Sequence, residues 1–439
     1  MKTLKTLMQN FGIVGAGGAG FPSYAKLAEG ANLLLINGSE CEPLLYTDYI
    51  ILKNELSLVI SGISTVLSHT GIAKAQIAIK EHTAKRLGLE DNDRLAENIF
   101  VKALPDVYPI GDEISLIYEA TGRLVKPGKL PITEGVIVYN VETMYNLGRA
   151  VRFNEPVTKK WLTVGGAVES PVVIKVPIGA RVADIFKELD IRLEDGYTVL
   201  DGGPSMGKVI NPSTYSVTKT TKGILILPDD SQAILSKKMN TKMAIARAET
   251  ACCQCTRCTD MCPRNMLGYP LEPHKMVRTA MGAVEAMPMS VLSATLCCGC
   301  GICESLACSQ GISPRAVIEN YKGLLAKERL RFNLDGEYSV RPEREYRMVP
   351  YEKWMSMLGV TKFDKIAEFG GEINSFSRVE IPLSQHIGAP SAVAIADGAM
   401  VGEGELIAMP ADGLSLPQHA SISGRATLGI NKIIIDKVR

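Results

Sequence analysis

The chain has 439 residues, 46% hydrophobic and 22% charged, with a formal net charge of +1. That length supports about three or four domains of roughly 100–200 residues each. The near-zero charge argues against the one-signed surfaces that bind nucleic acid or membrane headgroups. There is no run of about 18 apolar residues, and the N-terminus MKTLKTLMQNFGIVG lacks the apolar core and cleavage site of a secretory signal. A soluble, cytoplasmic protein is expected, able to dock on a larger assembly.

In chain order, NLLLING, AQIAIK and GVIVYNVET read as buried strands, and TDYIILKNELSLVISGISTVLSHTG reads as a helix ending at Gly71. Alternation of this kind predicts an α/β domain with a largely parallel sheet over 1–152. Over 153–235, KKWLTVGGAVESPVVIKVPIGARVADIFKELDI gives two strands around a Gly-Gly turn and then an amphipathic helix. YTVLDGGPSMGKVI and KGILILP add further strands. That order is a β-grasp. Residues 236–330 are helical and cysteine-rich, and 331–375 read as a charged linker whose RPEREYR is solvated surface. From 376 to 439, turns every five to ten residues suit a small β sandwich or barrel.

Ten of the eleven cysteines lie between Cys252 and Cys308; the other is Cys41. Clustering in a long chain without a signal points to metal rather than disulfides. CCQCTRCTDMCPRN sets Cys252, Cys255, Cys258 and Cys262 at C-x2-C-x2-C-x3-C before Pro263. CCGCGICESLACSQGISP sets Cys297, Cys300 and Cys303 at C-x2-C-x2-C, with Cys308 further on. Zinc also uses C-x2-C, but in two pairs, whereas each run here carries three evenly spaced cysteines and a distal fourth. In two-cluster ferredoxins the fourth cysteine serves the other cluster. One [4Fe–4S] cluster is therefore assigned to Cys252, Cys255, Cys258 and Cys308, the other to Cys297, Cys300, Cys303 and Cys262. The x4 step to Cys308 departs from the x3-C-P pattern. Cys253 and Cys298 are read as packing thiols and His274 as a polar cap. Two such clusters carry single electrons.

GAGGAGFPSYAKL contains G-x-G-x-x-G at Gly15, Gly17 and Gly20. In a dinucleotide-binding loop the helix runs straight from the glycines. Phe21-Pro22 interrupts here, since proline belongs only in a first helical turn.

With NGSECEP, YPIGDEISLIYEATGR and VIVYNVETMYN following in that order, the chain resembles the flavoprotein subunit of respiratory complex I. It resembles more closely RnfC, the corresponding soluble component of Rnf complexes. The resemblance covers most of the chain. It implies a multidomain α/β protein with a Rossmann-like FMN/NADH domain, a soluble-ligand-binding β-grasp (SLBB) module, a ferredoxin-like two-[4Fe–4S] domain and a barrel-sandwich hybrid. FMN would be held by Gly15, Gly17, Gly18 and Gly20, with Lys26 at its phosphate or a ring oxygen. Asn37, Glu40 and Glu42 would lie near flavin and nicotinamide, joined by Gly111, Asp112 and Glu113 and by Asn140 and Thr143; Glu42 and Glu113 would be catalytic. Three positions depart from the complex I pattern: Asp112 for Glu, Cys41 for Ser and Ala16 for Arg.

Domain order separates the relatives. In RnfC proteins the barrel-sandwich module precedes the glycine loop; here GAPSAVAIADGAMVGEGELIAMPADG follows everything else. Its ELIAMPADG hairpin lacks the lysine of biotinyl and lipoyl carriers, so no covalent attachment is expected. This order, with LGYPLEPHKM after the first cysteine run, resembles the cobalamin reductases of propanediol-utilisation microcompartments. The resemblance implies NADH as electron donor, a cobalamin substrate taken from cob(III)alamin towards cob(I)alamin, and a bacterial microcompartment location. An ATP:cob(I)alamin adenosyltransferase and a microcompartment shell protein would be partners. Two other readings stay open: an electron-input subunit of a membrane complex, and an electron-transfer module for a different reductase.

Overall fold

The computed structural model describes residues 2–283 and 287–438. The chain opens with α1 (Lys2–Asn10), which sends Leu4 and Met8, one turn apart, into the core. Strand β1 (Leu33–Asn37), helix α2 (Thr47–Thr70), β2 (Ala75–Lys80), α3 (Glu81–Leu87), β3 (Arg94–Ala96), β4 (Ile99–Leu104), β5 (Val107–Tyr108), α4 (Glu113–Thr121), β6 (Val136–Asn140) and α5 (Val141–Phe153) follow. Five of the strands form one sheet in the order β3-β4-β2-β1-β6, parallel except at the β3–β4 edge.

β1 explains its own apolar run. Leu34 and Ile36 face the core beneath α2 and α5, while Leu33 and Leu35 face a second core shared with α4 and the cysteine-rich lobe. A strand covered on both faces has no reason to alternate. α2 meets the length and hydropathy of a membrane-crossing helix, yet Ile51, Val59, Ile63 and Val66 are packed in this core. It crosses α5 at backbone contact: a Cβ on Gly62 would lie 2.0 Å from the Met144 carbonyl oxygen, and one on Gly148 would lie 2.1 Å from that of Leu58. The expected strand GVIVYNVET stops at Asn140, and Val141 already begins α5.

The second unit contains β7 (Lys159–Gly166), β8 (Val172–Pro177), α6 (Val182–Glu188), β9 (Tyr197–Asp201), β10 (Lys208–Ile210) and β11 (Gly223–Pro228). The β7–β8 hairpin is antiparallel, and β11 returns parallel to β7. Then come α7 (Gln232–Lys238), α8 (Thr241–Ala251), α9 (Arg257–Asp260), α10 (Pro263–Met266), α11 (Pro273–Arg278), α12 (Pro288–Leu292) and α13 (Pro314–Lys327).

The stretch read as a linker is built into the fold. It holds α14 (Arg344–Arg347), β12 (Val349–Pro350), α15 (Tyr351–Leu358) and β13 (Glu368–Glu372). β12 pairs with β5, β13 extends the second sheet beside β8, and Trp354 is fully buried. RPEREYR is largely exposed, but its Arg344 is ion-paired to Glu119 and lies over the Tyr118 ring. The chain ends in β14 (Arg378–Pro382), β15 (Ala392–Val393), β16 (Met400–Val401), β17 (Leu406–Met409), β18 (Gln418–His419), β19 (Gly424–Gly429) and β20 (Lys432–Asp436). These form two small sheets around Val379, Ile407, Ile433 and Ile435. This last unit rests on the glycine loop, where Ile387 N–H donates to the Gly20 carbonyl at 2.8 Å.

Candidate active site and cluster ligands

A cleft of about 340 Å³ opens at the C-terminal ends of β1 and β6. Ten of the residues expected at the flavin line it: Gly15, Gly17, Lys26, Asn37, Glu40 and Glu42 from the first half, then Gly111, Asp112, Glu113 and Asn140. Phe21, Leu45, Val138 and Met206 give it apolar surface. Gly17 packs so closely on Asn140 that a Cβ would fall 2.5 Å from the Asn140 Nδ2. A side chain there would have to push the Asn140 amide aside. A flavin, with an apolar ring and polar edges, fits that lining. No helix starts directly after the glycines; Pro22 leads into one 3-10 turn at Ser23–Lys26.

Three expected residues lie outside the cleft lining. Gly18 is exposed and Gly20 packs against Thr220. Thr143 is buried on α5 and acts through the backbone, its Oγ1 accepting from Ala16 N–H at 3.1 Å.

The carboxylates differ in what holds them. Lys26 Nζ pairs with Glu113 Oε1 at 2.7 Å and donates to the Val138 carbonyl at 3.0 Å. Asn37 Nδ2 donates to the Gly111 carbonyl at 2.9 Å. Glu40 sits at φ +32° and accepts from Asp48 N–H at the start of α2. Burial, then the neighbouring Asp48 charge, pushes its carboxyl up to about 7. Asp48 in turn pairs with Lys222 Nζ at 2.5 Å, a cleft residue with no signal in the sequence. Glu42 accepts from Ser205 N–H at 2.8 Å and Met206 N–H at 3.2 Å, so its carboxylate is engaged by the second unit. Asp112 caps α4 and pairs with Arg264 Nη2 at 2.7 Å, which joins the cleft to the chain just after Cys262.

Cys298 and Cys300 also line this cleft. Cys298, read as a packing thiol, shares its wall. Cys262, Cys300 and Cys303 are buried, and all eleven cysteines are free. Burial pushes the Cys262 and Cys303 thiols well up, and Cys297 is among the neighbouring charges acting on both. Gly299 N–H points at Cys297 Sγ, 3.3 Å away. The other group gathers around a separate hollow lined by Cys252, Cys253, Cys255, Cys258 and Cys308. Burial, then the charges of Cys308, Cys255 and Cys252, pushes Cys258 up to about 12. His274 borders this hollow with Nδ1 held 2.7 Å from Thr259 Oγ1. Among the described residues no three Cys, His, Asp or Glu side chains close around a single ion. A cubane, whose thiolates sit on separate irons, requires no such convergence. Two groups of soft thiol donors fit two clusters.

A cleft that accepts a flavin, walled by Cys300 of the C-x2-C-x2-C run and its neighbour Cys298, makes this a flavin and iron–sulfur oxidoreductase. Residues 8–149 match the Nuo51 FMN-binding domain family, 251–313 the 4Fe-4S dicluster domain and 371–436 the RnfC barrel sandwich hybrid domain. The chain is 37% identical to the cobalamin reductase PduS of Salmonella typhimurium over 94% of its own length and 91% of that protein. It is 36% identical to that of Citrobacter freundii over 96% and 94%. One component of the Na(+)-translocating ferredoxin:NAD(+) oxidoreductase complex of Acetobacterium woodii is 30% identical over 59% of this chain and 57% of that component. The chain belongs to the PduS family of cobalamin reductases.

Proposed function

We propose that the protein is an NADH-dependent cobalamin reductase that takes cob(III)alamin through cob(II)alamin towards cob(I)alamin for adenosylation. The observation that carries this reading is the shared wall: Cys298 and Cys300 line the same cleft as the glycine loop. FMN bound there supplies the conversion of a hydride's electron pair into single electrons. The balance is one NADH for two cob(III)alamin, giving NAD+, a proton and two cob(II)alamin.

In this reading Gly15 and Gly17 bring bare backbone to the flavin, helped by Gly18 and Gly20 in shaping the loop. Thr143 fixes that loop through Ala16. Lys26, paired with Glu113, offers an ammonium at the phosphate or ring edge. Asn37 and Gly111 fix each other, and Glu40, Asp112 and Asn140 hold the rim. Glu42 ties the cleft to the second unit, and Glu113 faces the nicotinamide. The eight cluster ligands divide as Cys252, Cys255, Cys258 and Cys308 against Cys262, Cys297, Cys300 and Cys303. Domain bounds of 1–152, 153–235, 236–330 and 376–439 belong to the same proposal, with 153–235 an SLBB-type β-grasp module. So do an adenosyltransferase and a shell protein as partners, and a microcompartment location.

Anaerobic purification with iron, sulfide and flavin analysis, followed by NADH with and without hydroxocobalamin, tests the proposal. Growth of the cob(II)alamin band is expected. Flavin bleaching that never reaches cobalamin, or that does so only with membrane partners, would favour an electron-input subunit instead.

A further inference from the structure

The segment after the cysteine-rich lobe ends on the cleft wall from behind. Trp354 of α15 is fully buried and stacks on Tyr108 with ring centroids 4.5 Å apart and planes 11° apart. The Tyr108 hydroxyl donates to the Cys300 carbonyl at 2.7 Å. Trp354 Nε1 donates to Ser205 Oγ at 2.9 Å, while Ser205 N–H holds Glu42. The Ser205 carbonyl accepts from Arg315 Nη1 at 2.9 Å and Lys237 Nζ at 3.0 Å. Arg315 is also paired with Glu304, the residue after Cys303, at 3.3 Å.

A core aromatic pair needs only apolar neighbours, and buried polar tips accept whatever partner is near. Here the donors end on two points of the transfer path, the Cys300 backbone and the loop that holds Glu42. We infer that Tyr108, Trp354 and Ser205 are positioning residues for electron transfer: they clamp the Cys298–Cys300 wall against the cleft and so set the flavin-to-cluster geometry. The inference rests on the proposed flavin-to-cluster route. One electron leaves the reduced flavin and one iron–sulfur cluster gains it; no bond is made at the three residues.

Three variants separate the contributions in anaerobic holoprotein. Trp354→Phe keeps a ring and removes the N–H, Trp354→Leu removes both, and Tyr108→Phe removes only the hydroxyl. Stopped-flow absorbance should show NADH bleaching the flavin at the wild-type rate in Tyr108→Phe, whose lost hydroxyl bonds to the Cys300 carbonyl rather than to the loop that holds Glu42. Cluster reduction should slow several-fold in Trp354→Leu and by less in the two phenylalanine variants. In Tyr108→Phe, an EPR-monitored redox titration should shift the midpoint of one cluster and leave the other in place. Cluster reduction at wild-type rate with both midpoints unchanged would overturn the inference. If Trp354→Leu fails to fold, the phenylalanine variants, each keeping a ring in the core, carry the test. Absence of flavin bleaching in the wild type would instead defeat the proposed function.

Discussion

The flavin half and the cysteine-rich lobe are built on opposite principles. The first has a five-stranded sheet backed by helices of 24 and 13 residues, with glycines letting those helices touch. The second contains helices of only four residues at α9 and α10, next to cysteine loops. Helices that short do not hold themselves. The lobe shares a core with the flavin half through α8 and α13 and leaves its cysteine loops and shortest helices to what the thiols bind. The lobe is also polarised: Cys300 is buried at the flavin cleft, whereas Cys253 and Cys255 are exposed.

Removing iron should break the comparison most visibly. Anaerobic chelation is expected to abolish amide-exchange protection over 252–266 and 297–308 while β1, β2 and β6 keep theirs; equal loss in both regions would refute the contrast. Next in size, Cys300→Ser should stop flavin-to-cluster transfer, whereas Cys255→Ser should cost only the outer cluster and leave the first transfer intact. EPR after NADH addition reads both.

Where the flavin half meets the second unit, Lys160 on β7 pairs with Glu142 on α5, both essentially buried. Lys160→Met should cost about 3–5 kcal/mol by stranding the carboxylate. Glu142→Gln combined with Lys160→Met should recover part of that in a denaturant titration. An effect of similar size, spread over pH, concerns the contact with the C-terminal unit. Lys219 is buried, donates to the Gly12 and Pro417 carbonyls at 3.1 Å each, and is lowered by burial to about 7. The unfolded chain then binds more protons than the folded one above that value. Stability should therefore rise with pH from about 7 towards the ordinary lysine value, at up to roughly 1.4 kcal/mol per pH unit, and the slope should vanish in Lys219→Met. Smallest of all, Lys53→Ala, which removes the exposed pair with Glu368, should change stability by less than about 1 kcal/mol.

What could be read in advance followed from local chemistry. Cysteine spacing, the glycine loop and the helix ending at Gly71 are all set by neighbours in the chain. α1 carried a legible signal in Leu4 and Met8, one turn apart, that a search for a targeting segment passes over. The span 331–375 hid its structure for a different reason. β13 reads EFGGE and is mostly exposed, so it has neither the alternation nor the apolar run of a strand, and only pairing with β8 makes it one.

The sequence by itself determined the class of chemistry, because metal-ligand spacing and a side-chain-free loop are local requirements that no packing can supply. Tertiary structure alone decided the connections. Ser205, 163 residues from Glu42, takes up its carboxylate; Arg264, 152 residues from Asp112, joins lobe to cleft; and Cys298, with no pattern to mark it, stands at the cleft wall. Long-range hydrogen bonds and shared walls depend on how units dock, and docking is written in the complementarity of whole surfaces rather than in any short stretch of chain.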